Sequence, residues 1–256
     1  MNFLFLMLIS YGVAGDAELR EKVGPGFINW STLSLGVTGT GNADLSAVDV
    51  GEARLAAERS ATAAALTRAV SLFASMRMTG FYTTQKLPGL QPLERLFRPQ
   101  QQRVIETRYF ADGKVDVVME LPFTHMMSRL FPAMRGSELT VDSSDVTGVV
   151  IDARGLQLVP AMLPRFFNAK GVLMFDPDKL RISSSALHGA AAYWRSMDAA
   201  LRDSRVEGQP VILKAIGLKE RGSSDFLFSD VDAKRITELG SVFADGRVVI
   251  VTDVDL

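Results

Sequence analysis

Alternation of apolar and polar residues first becomes regular at Leu33. Leu33, Leu35 and Val37 take one face and Ser34, Gly36 and Thr38 the other, the period-two pattern of a half-buried strand, which Gly39, Gly41 and Asn42 end. Asp49-Val50-Gly51-Glu52 has the form of a capping box, with Asp49 capping and Glu52 reaching back. It opens a predicted helix to about Met78, with Leu66, Ala69, Val70, Phe73 and Met76 on one face and Gly80 as its C-terminal cap. The first half, "ARLAAERSATAAAL", is rich in Ala, which combines helix propensity with close packing. "RVIETRYFA" and "KVDVVMELPF" flank Asp112-Gly113 and read as a hairpin. The three prolines of "KLPGLQPLERLFRPQQQR" make that segment a loop. The first block is therefore β-α-β-β, with "GFYTTQ" as a further candidate strand.

A second block begins near Val146. "VTGVVIDA" reads as a strand; Phe166-Phe167 and Val172-Leu173-Met174-Phe175 form a hairpin around a left-handed Gly171. "ALHGAAAYWRSMDAALRDSR" reads as a helix with Ala191, Trp194, Met197 (or Asp198) and Leu201 near one stripe. "QPVILKAIGL" is a strand, "SDVDAKRITELG" a helix capped by Ser229 and ended by Gly240, and "RVVIVTDV" a fully apolar last strand. The expected fold class is α+β, or mixed α/β, in two small sheet-plus-helix blocks: β-α-β-β, then β-β-β-α-β-α-β. The predicted domains are 28–122 and 146–256, joined by an apolar, Met-rich segment over 123–145.

In that segment, "PFTHMMSRLFPAMR", Phe123, Met126, Met127, Leu130, Phe131 and Met134 follow i, i+3, i+4, i+7, i+8, i+11. This is a continuous apolar helical stripe, started by Pro122 and strained at Pro132. It is either a core helix bridging the blocks or a soft surface for a neighbouring subunit or lipid.

Phe3–Ala14 is an apolar run of signal-peptide length, too short for a comfortable membrane span. The small residues Gly12 and Ala14, then Gly15 and Ala17, suit a cleavage site, so 1–17 is expected to be a signal peptide and the protein periplasmic. No Lys or Arg precedes Arg20, a departure from the usual positive start. With 28 Lys+Arg against 29 Asp+Glu, the net charge of −1 argues against a nucleic-acid partner. The sequence has no cysteine, which excludes disulfides, thiol catalysis, thiolate metal sites and a lipid-modified cysteine within it. Two histidines, His125 and His188, lie far apart, so neither a metal nor another cofactor is expected.

Candidate chemistry centres on "TGVVIDARGL", where a β-branched run stops at Asp152 and Arg154. A carboxylate at a strand end can act as acid, base or ligand beside an anion-binding arginine, or the two can fasten the strand end to its loop. Gly39-Thr40-Gly41 lacks the third glycine and the immediate helix of a dinucleotide loop. Ser183, Ser184 and Ser185 near His188 lack a nucleophile elbow and read as caps. Asp176-Pro177-Asp178 and Asp230-Val231-Asp232 lack calcium-loop spacing.

The stretches "ARLAAERSATAAALTRAV", "TGVVIDARGL", "VPAMLPRFFNAKG", "PVILKAIGLKERGSSDFLFSDVDAKRI" and "GRVVIVTD" resemble the small bacterial envelope lipoproteins related to flagellar outer-membrane ring and basal-disk proteins. They span most of residues 34–252, with Pro164-Arg165 and the Asp225…Asp232-Ala233 run the more specific features. The chain departs from that family in lacking the lipidation cysteine and in having "NAKG" where an acidic turn is expected. The resemblance implies a structural or assembly component with no catalytic residues to carry over. The expected function is a non-enzymatic, exported envelope protein, homo-oligomeric or docked on envelope partners, associated with the outer membrane peripherally and without a lipid anchor. The alternative is a periplasmic ligand-binding domain or hydrolase using Asp152 and Arg154 with the Ser183–His188 region.

Overall fold

The computed structural model describes residues 17–80, 82–84, 102–124, 145–181 and 188–256. It contains two main sheets with helices packed against them, a mixed α+β architecture.

The first sheet is wholly antiparallel, in the order β1 (Arg20–Val23), β2 (Gly26–Asn29), β3 (Ser34–Asn42), β7 (Lys114–Pro122), β6 (Arg103–Tyr109). The block thus begins before residue 28: "REKV" and "GFIN" form a hairpin around Gly24-Pro25 that is too short to show alternation. Helix α1 (Val50–Ser75) lies across β3 and β7, and Asp49 accepts the Glu52 backbone N–H at 2.9 Å as its cap. Its buried stripe is Ala57, Ala61, Ala65, Ala69, Leu72 and Phe73. Gly39 and Gly41 are not a strand terminus. A Cβ at Gly39 would lie 1.9 Å from the Ala61 carbonyl oxygen, and one at Gly41 2.1 Å from that of Ala57. Alanines on the helix and glycines on the strand together bring the two backbones into contact.

The helix ends at Ser75, not near Met78, because Arg77–Thr79 (β4) turns through Gly80 to pair with β5 (Tyr82–Thr83). Gly80, at φ +49°, serves that turn and is not the helix cap. "GFYTTQ" therefore supplies a strand, but outside the main sheet.

The second sheet has the order β10 (Leu173–Phe175), β9 (Arg165–Asn168), β13 (Asp225–Phe228), β12 (Val211–Leu218), β8 (Val149–Asp152), β14 (Val248–Val251), β11 (Ala192–Trp194). Strands β12, β8, β14 and β11 run parallel. Two expectations fail here. Ala192–Trp194 is a strand, so the predicted helix shrinks to α2 (Met197–Leu201), capped by Ser196. A short, fully apolar run suits a buried parallel strand as well as a helix. "DFLF" adds β13, which the sequence pattern did not single out. Helix α3 (Asp230–Glu238) is capped by Ser229, whose hydroxyl accepts the Asp232 N–H at 3.2 Å. Gly240 opens a further short helix, α4 (Gly240–Ala244).

The two sheets share a continuous core. Backbone hydrogen bonds run from Tyr193 N–H to the Trp30 carbonyl at 3.0 Å, and from Arg195 N–H to that of Ala17 at 2.9 Å. Ser31 Oγ donates to the Tyr193 carbonyl at 2.5 Å and accepts the Leu19 N–H at 2.8 Å. Trp30 meets Tyr193 and Phe123 edge to face, with ring centroids 5.8 and 6.1 Å away. On the other side, Met162 and Leu163 N–H bond the carbonyls of Arg77 and Met78 at 2.9 and 2.7 Å.

Phe123, expected in an interface stripe, is 2% exposed and belongs to this seam. It points inward because it follows β7 directly and its N–H is held by the Leu33 carbonyl at 3.0 Å. Met126, Met127, Leu130, Phe131 and Met134 lie outside the described residues, as does the rest of the connecting segment to residue 144.

Candidate functional site

Parallel strands β8, β12 and β14 bring Asp152, Lys214 and Val251 into register at their C-terminal edge, where open sheets of this kind commonly place a ligand. Asp152 and Arg154 meet there. Arg154 Nε and Nη2 donate to the two carboxylate oxygens of Asp152 at 2.8 and 2.7 Å, and the Arg154 N–H adds a third contact at 3.2 Å. The Arg154 hydrogen bond holds the Asp152 carboxyl below the ordinary carboxylate range, against partial desolvation. A general acid or base at neutral pH needs a shift in the opposite direction.

One residue further, Gly155 takes the left-handed conformation at φ +82° and gives its N–H to Asp253, 3.0 and 3.1 Å from the two oxygens. The loop after β8 is thus tied to itself through Asp152 and to the segment after β14 through Asp253. An open groove of about 530 Å³ runs between Gly155–Val159 and Asp253–Leu256. Its acidic groups also have partners, since Asp255 pairs with Arg195 at 2.7 Å.

His188 stands at the other end of the strands. Gly246, two residues before β14, packs against the Gly189 carbonyl and the His188 side chain. Burial lowers the His188 pKa, and neighbouring Arg205 lowers it further. Asp203 accepts the Trp194 indole N–H at 2.9 Å and pairs with Arg205, whose Nε lies 2.9 Å from its carboxylate. Arg247 Nη1 donates to the Thr147 carbonyl at 3.0 Å. Asp152 and His188, which the hydrolase alternative needs together, therefore stand at opposite ends of the parallel strands. Ser183, Ser184 and Ser185 lie outside the described residues.

Sequence reasoning missed Asp253 and Lys214 because their proximity to Asp152 is created by strand register alone. It also gave no role to Arg165 and Asp225, which pair on adjacent parallel strands, Arg165 Nε to Asp225 Oδ1 at 2.8 Å, with Asp225 almost fully buried. Among the described residues no group of three or more His, Asp or Glu side chains could hold a metal ion. No described helix is long and apolar enough to cross a membrane.

Residues 148–254 match the family model for the second domain of Treponema pallidum Tp0624. The match runs from the start of β8 to just beyond β14, so it takes in the whole second sheet and the Asp152–Arg154 strand end. It is a likeness of the second block alone. No curated protein matches the chain.

Proposed function

We propose that this is a non-enzymatic, exported protein of the cell envelope, acting in assembly or as a structural part of a larger complex. The flagellar base is the complex that the sequence resemblance names. The observation carrying the reading is the Asp152–Arg154 strand end, where both carboxylate oxygens are occupied by the neighbouring guanidinium and the loop is then tied to Asp253. Such an arrangement fixes a loop and leaves little with which to move a proton. The apolar run Phe3–Ala14, followed by small residues, supports export.

Two measurements on native cells test this. N-terminal sequencing of the mature protein should begin between Gly15 and Glu18, and intact Met1 recovered from cytoplasm would overturn export. Affinity capture from solubilised envelope should return a stoichiometric protein partner or further copies of the chain. A lone chain that turns over a periplasmic substrate would overturn the assembly role.

A further inference from the structure

Among the described residues, the first sheet ends at β6 with no further strand paired to its outer edge. Its seven residues are nearly all exposed, and Val104, Ile105, Tyr109 and Phe110 are among the exposed large apolar side chains of the described residues. An edge that pairs with nothing usually carries lysines, proline or a very short strand. This one is long and carries apolar groups beside three charges, Arg103, Glu106 and Arg108, the last two of which pair with each other along the strand.

The backbone is ready to pair. Phe110 N–H bonds the Lys114 carbonyl, so by antiparallel alternation the N–H and C=O groups of Thr107 and Tyr109 point away from β7, into the open edge. Thr107 and Tyr109 stand opposite Val117 and Val115, whose side chains are buried toward α1, and the Tyr109 hydroxyl reaches Glu58 of α1 at 2.7 Å. A bulge at Ile105 ends the regular register.

We infer that β6 is a self-association edge, on which a second copy of this chain adds its own β6 antiparallel, with the two-fold axis at Thr107. This deepens the assembly reading above, and rests on it, by naming the chain itself as a partner. The register follows from charge. With the axis at Thr107, Glu106 faces Arg108 of the second copy and Arg108 faces its Glu106. Moving the axis to Glu106 or to Arg108 sets like charges directly opposite each other, which is destabilising. The Thr107 axis also makes Thr107 a hydrogen-bonded pair, as its outward-pointing backbone groups require. The sheet then runs through both copies as ten strands, with the α1 helices on the same face.

The test uses the whole mature chain and light scattering after size exclusion over a range of concentrations. Wild type should be a concentration-dependent dimer. Arg108→Glu and Glu106→Arg should each be folded by circular dichroism and weaken dimerisation by roughly tenfold or more, because symmetry turns both charge pairs repulsive. Mixing the two variants should restore the dimer, since each copy then supplies one sign; a salt bridge inside one chain cannot produce that rescue. Thr107→Cys adds the chain's sole thiol and should cross-link the dimer on oxidation. A wild type that stays monomeric at millimolar concentration, or a dimer indifferent to the reversals and not cross-linked through position 107, would overturn the inference. A monomer that still captures an envelope partner would sink self-pairing and leave the assembly role intact. A β6 dimer that turns over a substrate would do the reverse.

Discussion

Asp152 and Tyr193 show how single side chains hold the second block. Asp152 is on the surface side of its strand end and its partner Arg154 is half exposed, so solvent screens the pair. Asp152→Ala should cost about 1 kcal/mol, read by urea denaturation, and the loss should come from the freed loop after β8. Tyr193 is fully buried, its hydroxyl donating to the Ala161 carbonyl at 3.0 Å and accepting the Ala161 N–H at 3.2 Å. Burial pushes its pKa up to about 12. The fold therefore favours the neutral phenol. That contribution is fully present below about pH 10, the unfolded value, and is lost as pH rises through about 12. Stability should fall by roughly 3 kcal/mol across that window from this group. Tyr193→Phe should remove this alkaline slope while costing about 1–3 kcal/mol at neutral pH through the unpaired Ala161 groups. An unchanged slope in the variant would show that another group titrates.

At the scale of elements, the contact between α1 and β3 depends on missing side chains. Gly39→Ala should destabilise by about 1–3 kcal/mol or more, because the new methyl meets the backbone at Ala61, which cannot move aside like a flexible side chain. Thermal unfolding checks it, and Gly24→Ala is the comparison: at φ +55° it is strained but meets no neighbour within 4 Å. Elements with a strong periodic or capping signal were legible in the sequence. These include β3, the Asp49-capped start of α1, the Gly113 hairpin, the Gly171 hairpin and the Ser229-capped α3. Some short strands were not. Ala192–Trp194 is too brief to show a period, and its identity comes from pairing with β14. The α1 face was read correctly at Ala69, Phe73 and Met76, all buried, with Leu66 and Val70 packed at the margin of the core; Ala57, Ala61 and Ala65 were missed, because hydrophobicity favours large side chains where close packing uses alanine. For the candidate site, Asp152 and Arg154 were visible as a motif. Asp253 was not, since the loop tie joins residues 98 positions apart.

The whole molecule behaves as one body if the Trp30–Tyr193–Phe123 seam carries the coupling. Chemical denaturation should then give a single transition, coincident by far-ultraviolet circular dichroism and tryptophan fluorescence. Trp30→Ala should cost about 3–5 kcal/mol and separate the two probes, because Trp194 still reports the second sheet. Coincident transitions in that variant would move the coupling to the Arg77–Leu163 contacts. The open β6 edge lies on the far side of the first sheet from β1, so the same body can pair outward without disturbing the seam. The most direct test of an assembly role compares wild type, Asp152→Ala and Arg108→Glu expressed in their native cells, by sedimentation of gently solubilised envelope. Wild type and Asp152→Ala should travel together in a heavy complex while Arg108→Glu shifts to lighter fractions. The account is contradicted if wild type sediments as a lone light chain and a stably folded Asp152→Ala protein loses a measurable turnover.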